Sequence, residues 1–203
     1  VLANVLRKAG WEVEKEYYIN DVGNQMEVLG RSTYLRAQQL LGREVSFPEN
    51  GYQGEYIGDI AREILALKGK NFLDRPEQEI IPFVTQYTAD WILGGIKKDL
   101  SDFGVEFDHW FSERTLHESG ELQDTLVLLR ERDLVYEKEG ALWLKAAEFA
   151  DEKDRVVVRS SNQPTYFASD IAYHVDKYRR GFDRLINIWG ADHHGYIPRM
   201  KAI

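Results

Sequence analysis

The sequence predicts an α/β fold, a parallel sheet interrupted in sequence by a largely helical insertion. Near the N-terminus a helix-like segment leads into an alternating apolar–polar run, and near the C-terminus strand-like and helix-like patterns alternate again. Between these ends, three long segments carry apolar residues at i, i+3, i+4 and i+7 spacing, the mark of amphipathic helices.

Each element has a local reason. Val1 to Ala9 has helical apolar spacing and stops at Gly10, after which "WEVEKEYYIN" alternates as a strand does. Asn20-Asp21 are placed to cap a helix through "NQMEVLGRSTYLRAQQLLG", ended by Gly42. Prolines and glycines make "SFPENGYQGEY" a loop. The amphipathic helices are "GEYIGDIAREILALKG", "PFVTQYTADWILGGIKKDLSDFG" and "SGELQDTLVLLRERD", with one short strand, "VEFDHWFSE", among them. "LVYEKEGALWLKA" reads as a hairpin turning at Glu139-Gly140. "RVVVRS" and "RLINIWGADHH" read as further strands of the main sheet, separated by a helix in "YFASDIAYHVDKYRRG". Helix-like patterns run up to both termini without a cap, so the sequence is expected to be a piece of a longer protein.

Composition bounds the function. With 203 residues, 43% hydrophobic and 12% aromatic, the chain can bury a core and is not disordered. It has no apolar run long enough to span a bilayer, and its charged N-terminus has no small-residue cleavage site, so it reads as soluble. Zero cysteines exclude disulfides, thiolate metal sites and a cysteine nucleophile, and fit a reducing cytoplasm. The net charge of −8 is uneven: residues 155–203 hold eight Lys/Arg against four Asp/Glu, a local +4 that leaves −12 on the rest. By charge alone this is an ordinary acidic protein, with room for a local basic surface.

In a doubly wound sheet, ligands sit beyond the carboxyl ends of the strands, which singles out "YYINDVGNQ", "WFSERTLH" and "IWGADHHG". Asn20, Asp21, Gly23 and Gln25 in the first read by default as a helix cap, and otherwise as active-site lining. Glu113 reads as a helix N-terminal acid favourable to the dipole; Tyr166 and Asp170, four apart, share a helical face. The alternative is that Glu113 and Asp170 project into one cavity. Paired carboxylates repel unless a cation lies between them, and a guanidinium, with its planar fork, fits that need. For Asp192-His193-His194, a metal site lacks further ligands at a suitable spacing, and no G-x-S-x-G elbow supports a hydrolase. A ribose and adenine suit the acid, the imidazoles and the bracketing Gly190 and Gly195 better.

Taken together, "YYINDVGNQ", "YQGEYIGDIA", "WFSE" and "YFASDIAYHVDKYRRGFDRLINIWGADHHGYIPRMKA" resemble arginyl-tRNA synthetases of the bacterial type, a class I aminoacyl-tRNA synthetase family. The likeness runs over essentially the whole chain in the family's order. It implies a Rossmann-like catalytic domain in two parts, residues 1–47 and 155–203, interrupted by a connective insertion over 48–154. It implies activation of L-arginine with ATP to arginyl-adenylate and transfer to tRNA(Arg), with Mg2+ arriving with the nucleotide and no protein-held metal. Glu113, Tyr166 and Asp170 would hold the guanidinium; Gly190, Asp192, His193 and Gly195 match the family's G-x-D-H-x-G segment, which lines the ATP site. A cytoplasmic, monomeric parent without membrane association is expected. The HIGH signature would lie upstream of these residues and a KMSKS-like loop downstream; the chain contains neither, so its catalytic groups are unassigned and by itself it is expected to be inactive. Two other readings stay open, a module that binds arginine or a tRNA acceptor end without catalysis, and a different nucleotidyl transferase on the same sheet.

Overall fold

The computed structural model describes all 203 residues and is an α/β structure of two compact units, Val1–Phe111 and Ser112–Ile203. The first unit is mainly helical. Helix α1 (Leu2–Lys8) ends where Gly10 takes a positive φ, and Arg7 reaches the Val13 carbonyl at 2.7 Å and Asp108 at 3.0 Å. The same Asp108 carboxylate accepts the Lys15 backbone N–H at 2.7 Å, a bond that holds its pKa below the usual range and fixes the start of strand β1 (Glu16–Ile19). Strand β1 pairs with β2 (His109–Ser112) in parallel; Tyr17 stacks on Trp110 at 4.7 Å and Tyr18 lies over Phe111 at 6.0 Å.

Between these strands come α2 (Asn24–Leu40), α3 (Glu55–Lys68), a 3-10 turn at Lys70–Asp74 and α4 (Glu77–Asp102). Their apolar stripes meet in a core of Ala37, Ile60, Ala61, Ile64, Phe72, Leu73, Ile80 and Val84. Helices α2 and α4 also share a polar contact: the fully buried Thr88 donates to Thr33 at 3.1 Å, and Thr33 donates to the Leu29 carbonyl at 3.2 Å, so both hydroxyls are satisfied.

The second unit opens with α5 (Glu113–Glu118) and α6 (Glu121–Glu131) and continues into an antiparallel sheet of β3 (Val135–Lys138), β4 (Ala141–Leu144) and β5 (Arg155–Val158). Glu139 and Gly140 both have positive φ, 54° and 73°, the two-residue turn whose twist matches the hairpin. Asp151, its side chain fully buried, receives two 2.7 Å bonds from Arg155, which hold its pKa low. Helix α7 (Tyr166–Arg179) packs Phe167, Ala168, Ile171 and Ala172 inward against α6 and β5; a 3-10 turn at Ala191–Tyr196 and α8 (Ile197–Ala202) end the chain.

Several expectations are corrected. "RVVVRS" does form a strand, β5, but it runs antiparallel to β4, because the link from Lys145 to Asp154 is too short for the crossover of about a dozen residues that parallel pairing needs. "RLINIWGADHH" forms no strand: none of the five strands borders it, its backbone has no ladder to join, and Ile186 and Ile188 are 51% and 78% exposed. Asn20 and Asp21 do not cap α2, whose N-cap is Gly23. Helix α4 begins at Glu77, five residues before the expected Pro82, which the helix accommodates internally.

Candidate functional site

Glu113 is the first residue of α5, directly after β2, and only 4% of its side chain is exposed; the His117 imidazole, one turn on, lies 4.0 Å away. Asp170 lies one turn into α7, whose start is fixed by Thr165 donating its hydroxyl to the Val156 carbonyl at 2.8 Å. Because Phe167, Ala168 and Ile171 turn inward, Tyr166 and Asp170 occupy the other face; Tyr166 is 57% exposed and Asp170 half-buried.

The two carboxyl groups interact. Burial pushes the Asp170 pKa above the ordinary value; the hydrogen bond from the Tyr196 hydroxyl opposes that shift, the neighbouring Glu113 charge adds to it, and the Lys177 ammonium opposes it. Glu113 is near enough for its charge to raise the Asp170 pKa, and a cation placed between them would relieve both repulsion and desolvation.

One turn beyond Asp170 stands a polar cluster that the sequence did not announce. The His174 Nδ1 lies 2.8 Å from the Asp170 carbonyl oxygen, which can only accept, so Nδ1 carries the proton and Nε2 is left as acceptor. Asn187 Nδ2 lies 3.1 Å from that Nε2, and the Asn187 carbonyl oxygen accepts from Lys177 at 3.3 Å. The Lys177 ammonium sits 3.9 Å from the Tyr173 ring centroid, a cation–π contact. His174 and Lys177 are both buried.

A groove of about 480 Å³ opens beside this cluster, lined by Asn187, Trp189, Gly190, Ala191, His193, His194, Ile197, Met200 and Lys201. Of the residues singled out there, Gly190 and His193 form part of its wall; Asp192 and Gly195 do not. The Asp192 side chain is 80% exposed and its Oδ1 lies 3.1 Å from His193 Nδ1. Trp189 is within ring contact of His193 at 6.1 Å and of Tyr196 at 6.0 Å, and Trp189 with the imidazoles offers flat faces suited to a purine. The sequence missed Trp189, Lys201 and Tyr196, although each flanks the stretch that drew attention.

Asn20, Asp21, Gly23 and Gln25 belong to the first unit. Asn20 and Gln25 are exposed, the Asp21 backbone N–H donates to the Ile19 carbonyl at 3.1 Å, and Gly23 has φ 89°, which only glycine adopts without strain. In that unit, Glu14, Glu16 and His109 also bring one potential ligand atom each within 4.8 Å of one another, an arrangement common among partly exposed acids that bind nothing.

No family model matches the chain. Individual relatives do. It is 52% identical over 202 residues to an arginine–tRNA ligase of Syntrophotalea carbinolica, spanning all of this chain and 36% of that protein. The ligase of Desulfosudis oleivorans is 54% identical over 202 residues, again 36% of its length. Among solved structures, an arginyl-tRNA synthetase from Campylobacter jejuni superposes with a TM-score of 0.91 at 44% identity, over 99% of this chain and 44% of that one. One from Plasmodium falciparum, at 14% identity and a TM-score of 0.55, shares the fold. The chain thus spans about a third of the length of the curated relatives it matches.

Proposed function

We propose that this chain, a homologue of arginine–tRNA ligases along its whole length, carries the arginine pocket and part of the ATP site of such a ligase. The parent activates L-arginine with ATP to arginyl-adenylate and transfers the arginyl group to tRNA(Arg). The observation that supports this best is the buried Glu113 carboxylate beside the half-buried Asp170, where burial and the Glu113 charge both raise the cost of the Asp170 charge. A guanidinium offers a charge and a planar set of donors that both carboxylates can share, which an ammonium cannot match. Tyr166, exposed on the same helical face as Asp170, joins them in holding the guanidinium.

Formation of the adenylate is an in-line attack of the arginine carboxylate on the α-phosphate. It needs positioning and stabilisation of charge on phosphate more than a nucleophile. In this reading Trp189, Gly190, His193 and His194 receive the adenosine, Asp192 and Gly195 shape the segment around the ribose, and Mg2+ enters with the phosphates. Residues 1–47 and 155–203 belong to a Rossmann-like catalytic domain and 48–154 to the connective insertion that handles the tRNA acceptor end. The parent works as a cytoplasmic monomer. No helix here is long and apolar enough to cross a membrane.

Calorimetric titration with L-arginine tests the pocket. The wild-type chain is expected to bind weakly, and Asp170→Asn or Glu113→Gln to lower affinity more than tenfold, since truncating one partner of a desolvated charge pair costs about 2–5 kcal/mol. Unchanged affinity in both variants would remove the assignment.

A further inference from the structure

We propose that Tyr196 is a positioning residue for arginine: its hydroxyl donates to Oδ2 of Asp170 and holds that carboxylate in one orientation, so the segment that walls the nucleotide groove also sets the guanidinium pocket. This rests on the arginine reading above.

The geometry explains how one tyrosine can do this. Tyr196 closes the 3-10 turn Ala191–Tyr196 and precedes α8, and its ring is held on two sides: the Trp189 ring meets it edge-on at 6.0 Å, and the Arg199 guanidinium lies 5.2 Å from its centroid. A ring gripped by two neighbours delivers its hydroxyl to one place, so the bond limits Asp170 to one orientation at little further entropy cost. Trp189 is itself a wall of the groove, which makes the link from groove to pocket two residues long.

The bond from Tyr196 favours the ionised form of Asp170. A phenol donating to a carboxylate stabilises the anion, and here it opposes both burial and the Glu113 charge. The groups facing this pair are Glu113 from α5, with His117 behind it, Lys177 from α7, and Arg155 and Arg199 on the Tyr196 side. Burial, and then the bond to Asp170, hold the Tyr196 pKa above its ordinary value, so the phenol keeps its proton throughout the working range and remains a donor.

Tyr196→Phe in the full chain keeps the ring and removes only the donor. Carboxyl-selective carbon NMR, without ligand, follows the titration of Asp170 in the wild type and the variant. Its midpoint is expected to move to higher pH in Tyr196→Phe, because the opposing hydrogen bond is gone while burial and Glu113 remain. Arginine affinity by calorimetry at neutral pH is expected to fall roughly tenfold, the loss typical of a hydrogen bond to a charged group. The wild type provides an independent reading, a slowly exchanging Tyr196 hydroxyl proton whose shift follows the Asp170 titration. An unmoved Asp170 midpoint, or a moved midpoint with arginine affinity unchanged, overturns the role of Tyr196 while leaving the arginine pocket standing. Absence of arginine binding by the wild type overturns the pocket itself, and the positioning role with it.

Discussion

Asp170 is a carboxylate placed where a carboxylate is costly. Its raised pKa has a definite sign in the stability balance: the contribution is fully present below the unfolded value near 3.8 and is lost as pH rises through the raised folded value. Asp170→Asn keeps an oxygen to accept from Tyr196 and removes the charge, so it should leave the melting temperature unchanged near pH 3.5 and raise it at pH 7. A gain of roughly 2–4 °C corresponds to about 1 kcal/mol in a domain of this size. Thermal scans at the two pH values check this; a lower melting temperature at pH 7 would mean that Asp170 is already neutralised by groups of the chain. A residue that weakens the fold and is expected to bind substrate is the usual signature of a site kept for function. The sequence made Glu113 and Asp170 legible because each follows an element boundary, where polar residues face outward from the sheet or the first helical turn. It could not announce Tyr196, whose partner lies 26 residues earlier, nor the contacts among His174, Lys177 and Asn187, since hydroxyls and imidazoles leave no periodic trace.

At the scale of elements, the helices and the positions of the five strands were readable, and the direction and pairing of the strands were not. An amphipathic stripe names both a helix and its buried face, and Ile60, Ile64 and Val84 all lie in the core, with Val84 1% exposed and the other two 0%. Alternation in "RVVVRS" names a strand but not its direction, and the apolar run in "LINIW" says nothing about whether a partner strand lies beside it. Gly30 shows a further constraint hidden from sequence. It sits mid-helix in α2, where alanine would ordinarily stabilise by about 1 kcal/mol, yet a Cβ there would lie 1.8 Å from Thr85 Oγ1, 2.8 Å from its Cβ and 3.0 Å from its Cα. The hydroxyl could rotate away; the Cα belongs to α4 and cannot move alone. Gly30→Ala is therefore expected to destabilise by about 1–3 kcal/mol, read as a lower urea midpoint with an unchanged slope. A rise in midpoint would show that α2 and α4 can separate without loss.

At the scale of the whole chain, the decisive question is how much of the chemistry these residues hold. They hold the carboxylates of Glu113 and Asp170 and a groove whose lining contains one ammonium, Lys201, and two imidazoles, His193 and His194. The triphosphate of ATP brings several negative charges, and more gathers on the leaving pyrophosphate during the reaction, so the activation step depends on cationic and amide groups aimed at phosphate oxygens. In the family that the chain resembles, those groups come from the HIGH and KMSKS-like segments, and neither lies within these 203 residues. Removing a single preorganised donor costs about 10²–10³ in rate; without two sets, arginine-dependent ATP–pyrophosphate exchange is expected to be undetectable for the isolated chain, with or without tRNA(Arg). Weak arginine binding alongside silent exchange would fit a recognition pocket separated from the phosphate machinery. Robust exchange would place the phosphate-stabilising groups inside the chain, with His193, His194 and Lys201 the first residues to substitute.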